Sequence, residues 1–142
     1  MSIRQRTIDP LGTLELFAGS TPDEIARARQ LLTLLTVAPG TVLIQEGGYG
    51  MEFLIIASGE AAVSIGDQVV ATLGRGDFAG EMSLLERGRR SATVTAVTPL
   101  TFYVANVAEF TSLLEAVPAV GERIAQTADE RRETNRRSAL AA

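Results

Sequence analysis

Between Thr36 and Ala105 the chain breaks into short runs rich in β-branched and aliphatic residues, each ended by turn-forming residues. The runs are Thr41–Gln45, Glu52–Ser58, Glu60–Ile65, Val69–Leu73, Ser91–Val97 and Leu100–Ala105. Between them stand Pro39-Gly40, Gly47-Gly48, Ser58-Gly59, Gly66-Asp67, Gly74-Arg75-Gly76-Asp77 and Thr98-Pro99. Turn signals this dense exclude the helices of about 10–15 residues that alternate with strands in a parallel α/β fold, so an antiparallel sandwich, barrel or jelly roll is predicted. One segment, Gly80 to Arg90, interrupts the run, and its start, Gly80-Glu81-Met82-Ser83-Leu84-Leu85, has the texture of a short helical turn. An insertion inside a β-roll is a candidate site.

Helical patterns flank the roll. Ser20-Thr21-Pro22-Asp23-Glu24 combines a hydroxyl cap, a first-turn proline and first-turn acids, and it starts a helix predicted to run to about Leu35. Ile25, Ala28, Leu32 and Leu35 share one face of it. A short helix from Leu11 to Phe17 is expected before it. After Ala105, Asn106-Val107-Ala108-Glu109 has capping-box spacing and opens a helix over 107–116. Pro118 divides this from a second helix starting near Ala119, with Val120, Ile124 and Ala128 on one stripe. That stripe is thin and Asp129–Arg137 is charged on all sides, so the segment from Ala119 onward is expected to be mobile without a ligand. No internal repeat is visible, and residues 1–142 read as one domain: about 36–106 a β-roll, 107–137 C-terminal helices.

A chain of 142 residues with 46% hydrophobic and 21% charged residues is that of a folded domain. Its longest central apolar run, Phe53–Ala57, is far short of the roughly 20 residues a bilayer demands, and Asp9-Pro10 stands where a secretory h-region would be. No membrane insertion and a cytoplasmic location are expected. Zero cysteines and zero histidines exclude disulfides, thiol nucleophiles, zinc fingers and Ser-His-Asp triads. All 13 basic residues are arginine, which removes Schiff-base chemistry and the P-loop lysine. A net charge of −4 argues against direct nucleic-acid binding. No metal, cofactor or catalytic residue is expected; Glu81 and Glu86, one turn apart, read as helix solvation rather than as a hydrolase pair.

Gly74-Arg75-Gly76-Asp77-Phe78-Ala79 fits the dinucleotide fingerprint G-x-G-x-x-A but lacks the long helix, parallel strand and acid about 20 positions on that a Rossmann unit needs. The informative stretch runs from Phe78 to Val94. Gly80 lets the backbone approach a ligand, the turn from Glu81 to Leu85 offers free N–H groups, and Arg90 can grip a phosphate bidentately. Glu81 would repel a phosphate unless it accepted hydrogen bonds from another part of the ligand, such as sugar hydroxyls. A ligand with both phosphate and ribose satisfies both residues.

The run Gly80-Glu81-Met82-Ser83-Leu84-Leu85, followed by Arg90-Ser91-Ala92-Thr93-Val94 with the arginine nine residues after Glu81, closely resembles the phosphate-binding cassette of cyclic nucleotide-binding domains. The likeness extends over about residues 12–132, with Gly40, Gly47, Gly59 and Gly76 where that family turns its strands. It implies a mainly β fold with flanking helices: an eight-stranded antiparallel, jelly-roll-like β-roll with N-terminal helices, a short cassette helix and C-terminal helices. It further implies that Glu81 binds the ribose 2′-hydroxyl and Arg90 the exocyclic oxygens of the cyclic phosphate. Backbone N–H groups of Gly80, Ser83 and Ser91 would complete the cradle, with Met82 near the sugar and base. Ser83 departs from the commoner small apolar residue. Ser91 stands where threonine favours guanine and alanine is usual in kinase regulatory subunits, which leaves cGMP open; serine here is familiar in bacterial cAMP receptors, so the resemblance favours cAMP.

In the same family a C-terminal helix closes over the base, and Ala119–Arg137 is placed to do so, with Arg131 the candidate purine cap. The resemblance implies a sensor and not an enzyme, signalling through its C-terminal helix to an unidentified effector protein. The alternatives are a degenerate fold acting as a protein-interaction module, or a fragment of a larger regulator or channel. Tyr49, Phe53, Phe102, Tyr103 and Phe110 are expected as core or rim aromatics, and Glu46, Glu52 and Glu60 as solvated strand-end acids.

Overall fold

A computed structural model describes residues 11–49, 52–80 and 89–141, with side chains described as far as Thr134. Two 3-10 turns, Leu11–Thr13 and Glu15–Phe17, precede helix α1 (Pro22–Leu31). Eight strands follow: β1 (Thr33–Val37), β2 (Val42–Ile44), β3 (Glu52–Ser58), β4 (Ala61–Ile65), β5 (Gln68–Leu73), β6 (Phe78–Ala79), β7 (Thr93–Ala96) and β8 (Leu100–Asn106). Helices α2 (Val107–Ala116) and α3 (Pro118–Ala141) end the chain. The strands form two four-stranded antiparallel sheets, β1-β8-β3-β6 and β2-β7-β4-β5, so the eight-stranded β-roll with flanking helices is present.

The run Phe53–Ala57 is apolar without alternation because β3 is covered on both faces. Successive strand side chains point to opposite sides. Phe53, Ile55 and Ala57 pack with the helices, alongside Phe17, Phe110, Leu113 and Val120. Leu54 and Ile56 face the second sheet, with Ile44, Leu73, Val94 and Phe102. Strand β8 divides likewise, Tyr103 and Ala105 to the helices and Leu100 and Phe102 between the sheets. At the exit of β3, Gly59 turns at φ 93°; a Cβ there would run into the Pro99 carbonyl and lie 2.9 Å from Thr98 Oγ1.

Both capping boxes form. Thr21 accepts from the Glu24 amide at 3.1 Å while Glu24 accepts from the Thr21 amide at 2.9 Å. Asn106 and Glu109 exchange the same pair of bonds at 2.8 and 2.9 Å. Three expectations change. The helix predicted to reach Leu35 stops at Leu31, and Thr33–Val37 pairs residue for residue with Val104–Leu100. The edge of β8 offers backbone partners that one more helical turn would leave unmet, and Leu35 is exposed on the strand instead of buried on the helix. The expected Leu11–Phe17 helix is two 3-10 turns. Glu46 is not merely solvated: its carboxylate accepts from the Gly66 amide at 2.9 Å and ties the β4–β5 turn to β2.

Candidate functional site

A cavity of about 410 Å³ opens between the sheet β2-β7-β4-β5 and helix α3. Its size is that of a small-molecule pocket, for which volumes of about 300–1,000 Å³ are usual. Ile44, Val63, Leu73 and Val94 form its apolar wall, the inner face of the sheet. Gly80, Arg90 and Ser91 lie at one end, and α3 contributes the opposite side. Three residues singled out from sequence therefore converge on one cavity with Arg131, although 11 positions and a sheet change separate Gly80 from Ser91.

Arg90 is 8% exposed and is the one charged residue in the buried set among the described residues. Its backbone is held by the β2–β3 turn, where the Gly47 amide donates to Arg90 O at 2.9 Å and the Arg90 amide to Gly48 O at 2.6 Å. The side chain is held as firmly. Nη1 donates to Gly80 O at 2.9 Å and Nη2 to Glu52 O at 2.5 Å, so the planar fork spans the ends of β3 and β6. These two carbonyls fix the plane of the guanidinium. Placing a cation at the end of an apolar cavity creates a site complementary to an anion.

Gly80 sits at φ 96°, the left-handed region that favours glycine. A Cβ there would strike the Glu52 carbonyl oxygen and come within 2.9 Å of Arg90 Nη1 and 3.3 Å of Phe53 Cα. The room that sequence reasoning reserved for a ligand is used first by the chain's own Glu52 and Arg90. Glu81, Met82 and Ser83, together with the helical turn expected over Glu81–Leu85, lie outside the described residues. Ser91 is exposed at the cavity rim.

Arg131 borders the cavity, and its guanidinium lies 5.2 Å from the centre of the Phe78 ring while Nη2 donates to Phe78 O at 2.9 Å. Sequence reasoning missed its companions. Thr127, Glu130 and Thr134 also face the cavity, and with Arg131 they fall at i, i+3, i+4 and i+7, one polar face of α3. That spacing was readable, but a polar stripe beside an apolar one looks like solvated surface until a cavity is known to lie beneath it. Gly47 and Gly48 were read only as turn residues, yet they fix the Arg90 backbone.

No metal-ligating cluster of acids is found among the described residues, and no described helix is long and apolar enough to cross a membrane. The sequence matches the family described as cyclic nucleotide-binding domain over residues 34–117. Acetyltransferase Pat of Mycolicibacterium smegmatis is 32% identical over 125 residues, covering 85% of this chain and 37% of Pat. A cAMP-dependent protein kinase regulatory subunit of Yarrowia lipolytica is 49% identical over 71 residues, 49% of this chain and 19% of that protein. The chain thus spans well under two thirds of these curated relatives. Among solved structures, PKAR CBD2 with Sp-2Cl-cAMPS bound superposes with a TM-score of 0.76 at 25% identity, covering 89% of this chain and 87% of that one. Thermus thermophilus Catabolite Activator Protein gives 0.77 at 27% identity, over 89% and 62% of the two chains. Domains of this kind are regulatory rather than catalytic, although relatives such as Pat are enzymes that carry one as a part. With the family match covering more than half of its length and the β-roll formed, this chain belongs to the cyclic nucleotide-binding domain family.

Proposed function

We propose that the cavity under α3 is a cyclic nucleotide site and that the chain is a receptor domain for cAMP, with cGMP the competing ligand. The observation that carries this reading is the buried Arg90, held by Gly80 O and Glu52 O at the end of an apolar cavity. In that role Arg90 grips the exocyclic oxygens of the cyclic phosphate, and the Gly80 and Ser91 backbone amides assist. Glu81 accepts from the ribose 2′-hydroxyl, the Ser83 amide completes the cradle, and Met82 lies by the sugar and base. The apolar wall of Ile44, Val63, Leu73 and Val94 takes the less polar faces of the ligand. Ser91 and the cAMP named with several relatives favour cAMP.

Occupancy leaves the domain through α3, which closes over the ligand as a lid. A nucleotide shifts that helix only as far as it binds the closed state better than the open one. The effector is a protein or a further part of a longer polypeptide, as the short coverage of the curated relatives suggests. Calorimetric titration with cAMP and cGMP tests the reading, with saturable binding of one-to-one stoichiometry as the expected result. A second reading has its own support: the chain already satisfies the Arg90 guanidinium with two of its carbonyls, so the fold can stand without ligand as an interaction module. No heat with either nucleotide would favour that module.

A further inference from the structure

We propose that Arg131 is a positioning residue for Arg90, tying α3 to the phosphate end of the cavity through the short strand β6. This rests on the reading of Arg90 as the phosphate arginine and adds a route by which the helix controls it. Arg131 holds Phe78 twice, by the 2.9 Å bond from Nη2 to its carbonyl and by the 5.2 Å approach of the guanidinium to its ring. Two residues further along, the carbonyl of Gly80 accepts from Arg90 Nη1 at 2.9 Å. One arginine from the helix and one from the phosphate end thus grip the same few residues of backbone.

The strand between them is short. β6 is the edge of its sheet and pairs with β3 at Leu54↔Ala79 and Ile55↔Phe78, continued upstream by the Ile56 amide donating to Asp77 O and the Gly76 amide to Ile56 O, both at 2.8 Å. Phe78 O in β6 and Gly80 O just past its end are two peptide units apart, about 7 Å at full extension, with no loop between them to absorb a displacement. Gly80 lies close against the start of β3, where an added Cβ would strike the Glu52 carbonyl and come within 3.3 Å of Phe53 Cα. The Phe78 ring is fixed too, 5.8 Å from Phe53, which stands 4.8 Å from Phe110 of α2. When α3 lifts, Arg131 releases or drags the Phe78 carbonyl, and the Gly80 carbonyl that aims Arg90 moves with it. By linkage, whatever factor the closed helix adds to phosphate binding, bound phosphate returns to closure.

The test uses Arg131→Gln and Arg131→Lys in the whole chain, with Arg132→Gln as control, since Arg132 is exposed and pairs with Asp129 at 2.6 Å. Three readouts are needed: amide exchange without nucleotide, the Arg90 side-chain Nε–H NMR signal without nucleotide, and affinity for cAMP and for abasic ribose 3′,5′-cyclic phosphate. Arg131→Gln is expected to speed exchange around Ala79–Gly80 and Thr127–Arg131 and to shift the Arg90 signal. It should weaken both ligands by a similar factor, about 5–20-fold. Arg131→Lys should restore part of each effect, and Arg132→Gln should change none. An unmoved Arg90 signal, or a loss confined to cAMP with the abasic ligand unaffected, overturns the proposal and makes Arg131 a purine cap. Wild type that binds neither ligand refutes the nucleotide reading, while the two ligand-free measurements still decide the tie.

Discussion

Arg90 and Gly80 define each other's positions. Nη1 of the arginine donates to the glycine carbonyl at 2.9 Å, and a Cβ on the glycine would sit only 2.9 Å from that same nitrogen. Gly80→Ala therefore meets two penalties, a left-handed backbone that alanine resists by about 1–2 kcal/mol and a clash with the Glu52 carbonyl. The variant should melt at lower denaturant and bind cAMP more weakly than the lost stability alone explains, because Arg90 must swing away. Urea unfolding together with calorimetric titration checks this. Unchanged affinity in Gly80→Ala would show that the close approach has no bearing on binding.

Arg90→Ala removes the guanidinium and leaves the Gly80 and Glu52 carbonyls without these donors. Under-satisfied buried carbonyls cost about 1–3 kcal/mol each, so this variant should be both less stable and deficient in binding. Stripping a bound phosphate of its cation should cost about 3–5 kcal/mol, roughly 10²–10³-fold or more in affinity. Arg90→Lys separates the two effects: it keeps the charge but cannot span both carbonyls and a phosphate, so binding should fall further than folding. Titration of the three proteins under conditions where each is folded decides it, and equal affinities would remove Arg90 from the site.

Much of this arrangement was legible in the sequence where local chemistry decides it. The capping boxes at Thr21 and Asn106, the glycine turns and the meeting of Gly80, Arg90 and Ser91 at one cavity depend on neighbouring residues or on residue types with few uses. Long-range competition was not legible. Leu35 fits a helical face as well as a strand, and only the free edge of β8 settles which one wins. Strand β6 is two residues long, too short to carry a period, and exists because β3 and two arginines hold it. A guanidinium suited to stacking on a purine marks Arg131 in the sequence, and it lies over the Phe78 ring, an aromatic face the chain provides itself.

Ser91 sits exposed at the cavity rim, where its hydroxyl lacks the methyl that would restrict its rotamer. In Ser91→Thr, β-branching should hold the hydroxyl in fewer orientations and favour a hydrogen bond to the guanine amino group. A single hydrogen bond is worth about 0.5–1.5 kcal/mol, so the ratio of cGMP to cAMP affinity should rise by about 2–13-fold. Competition titrations with both nucleotides measure that ratio directly. A ratio that stays fixed would mean that base selection lies elsewhere, for which Glu130 and Thr134 on α3 are the next residues to vary.

Helix α3 is two helices in energetic terms. Sequence reasoning expected everything from Ala119 onward to be mobile, yet Val117, Val120 and Ile124 belong to the helix-side core with Phe17 and Leu113, and they and Ala128 are at most 1% exposed. Arg123 adds a bond from Nη1 to Leu16 O at 2.8 Å. Removing Ile124 as Ile124→Ala should therefore cost about 2–5 kcal/mol of global stability, as for other buried aliphatic residues. Beyond Ala128 the described side chains are polar, and Arg132 is satisfied within the helix by Asp129. Local opening follows how little apolar surface a segment buries. Without nucleotide, exchange should be slow up to about Ala128 and faster after it. Saturating cAMP should carry protection past that boundary into the turn containing Thr134 and leave residues 117–128 unchanged. If protection instead changes uniformly from Pro118 onward, the helix moves as one body on the core, and the division drawn at Ala128 is wrong.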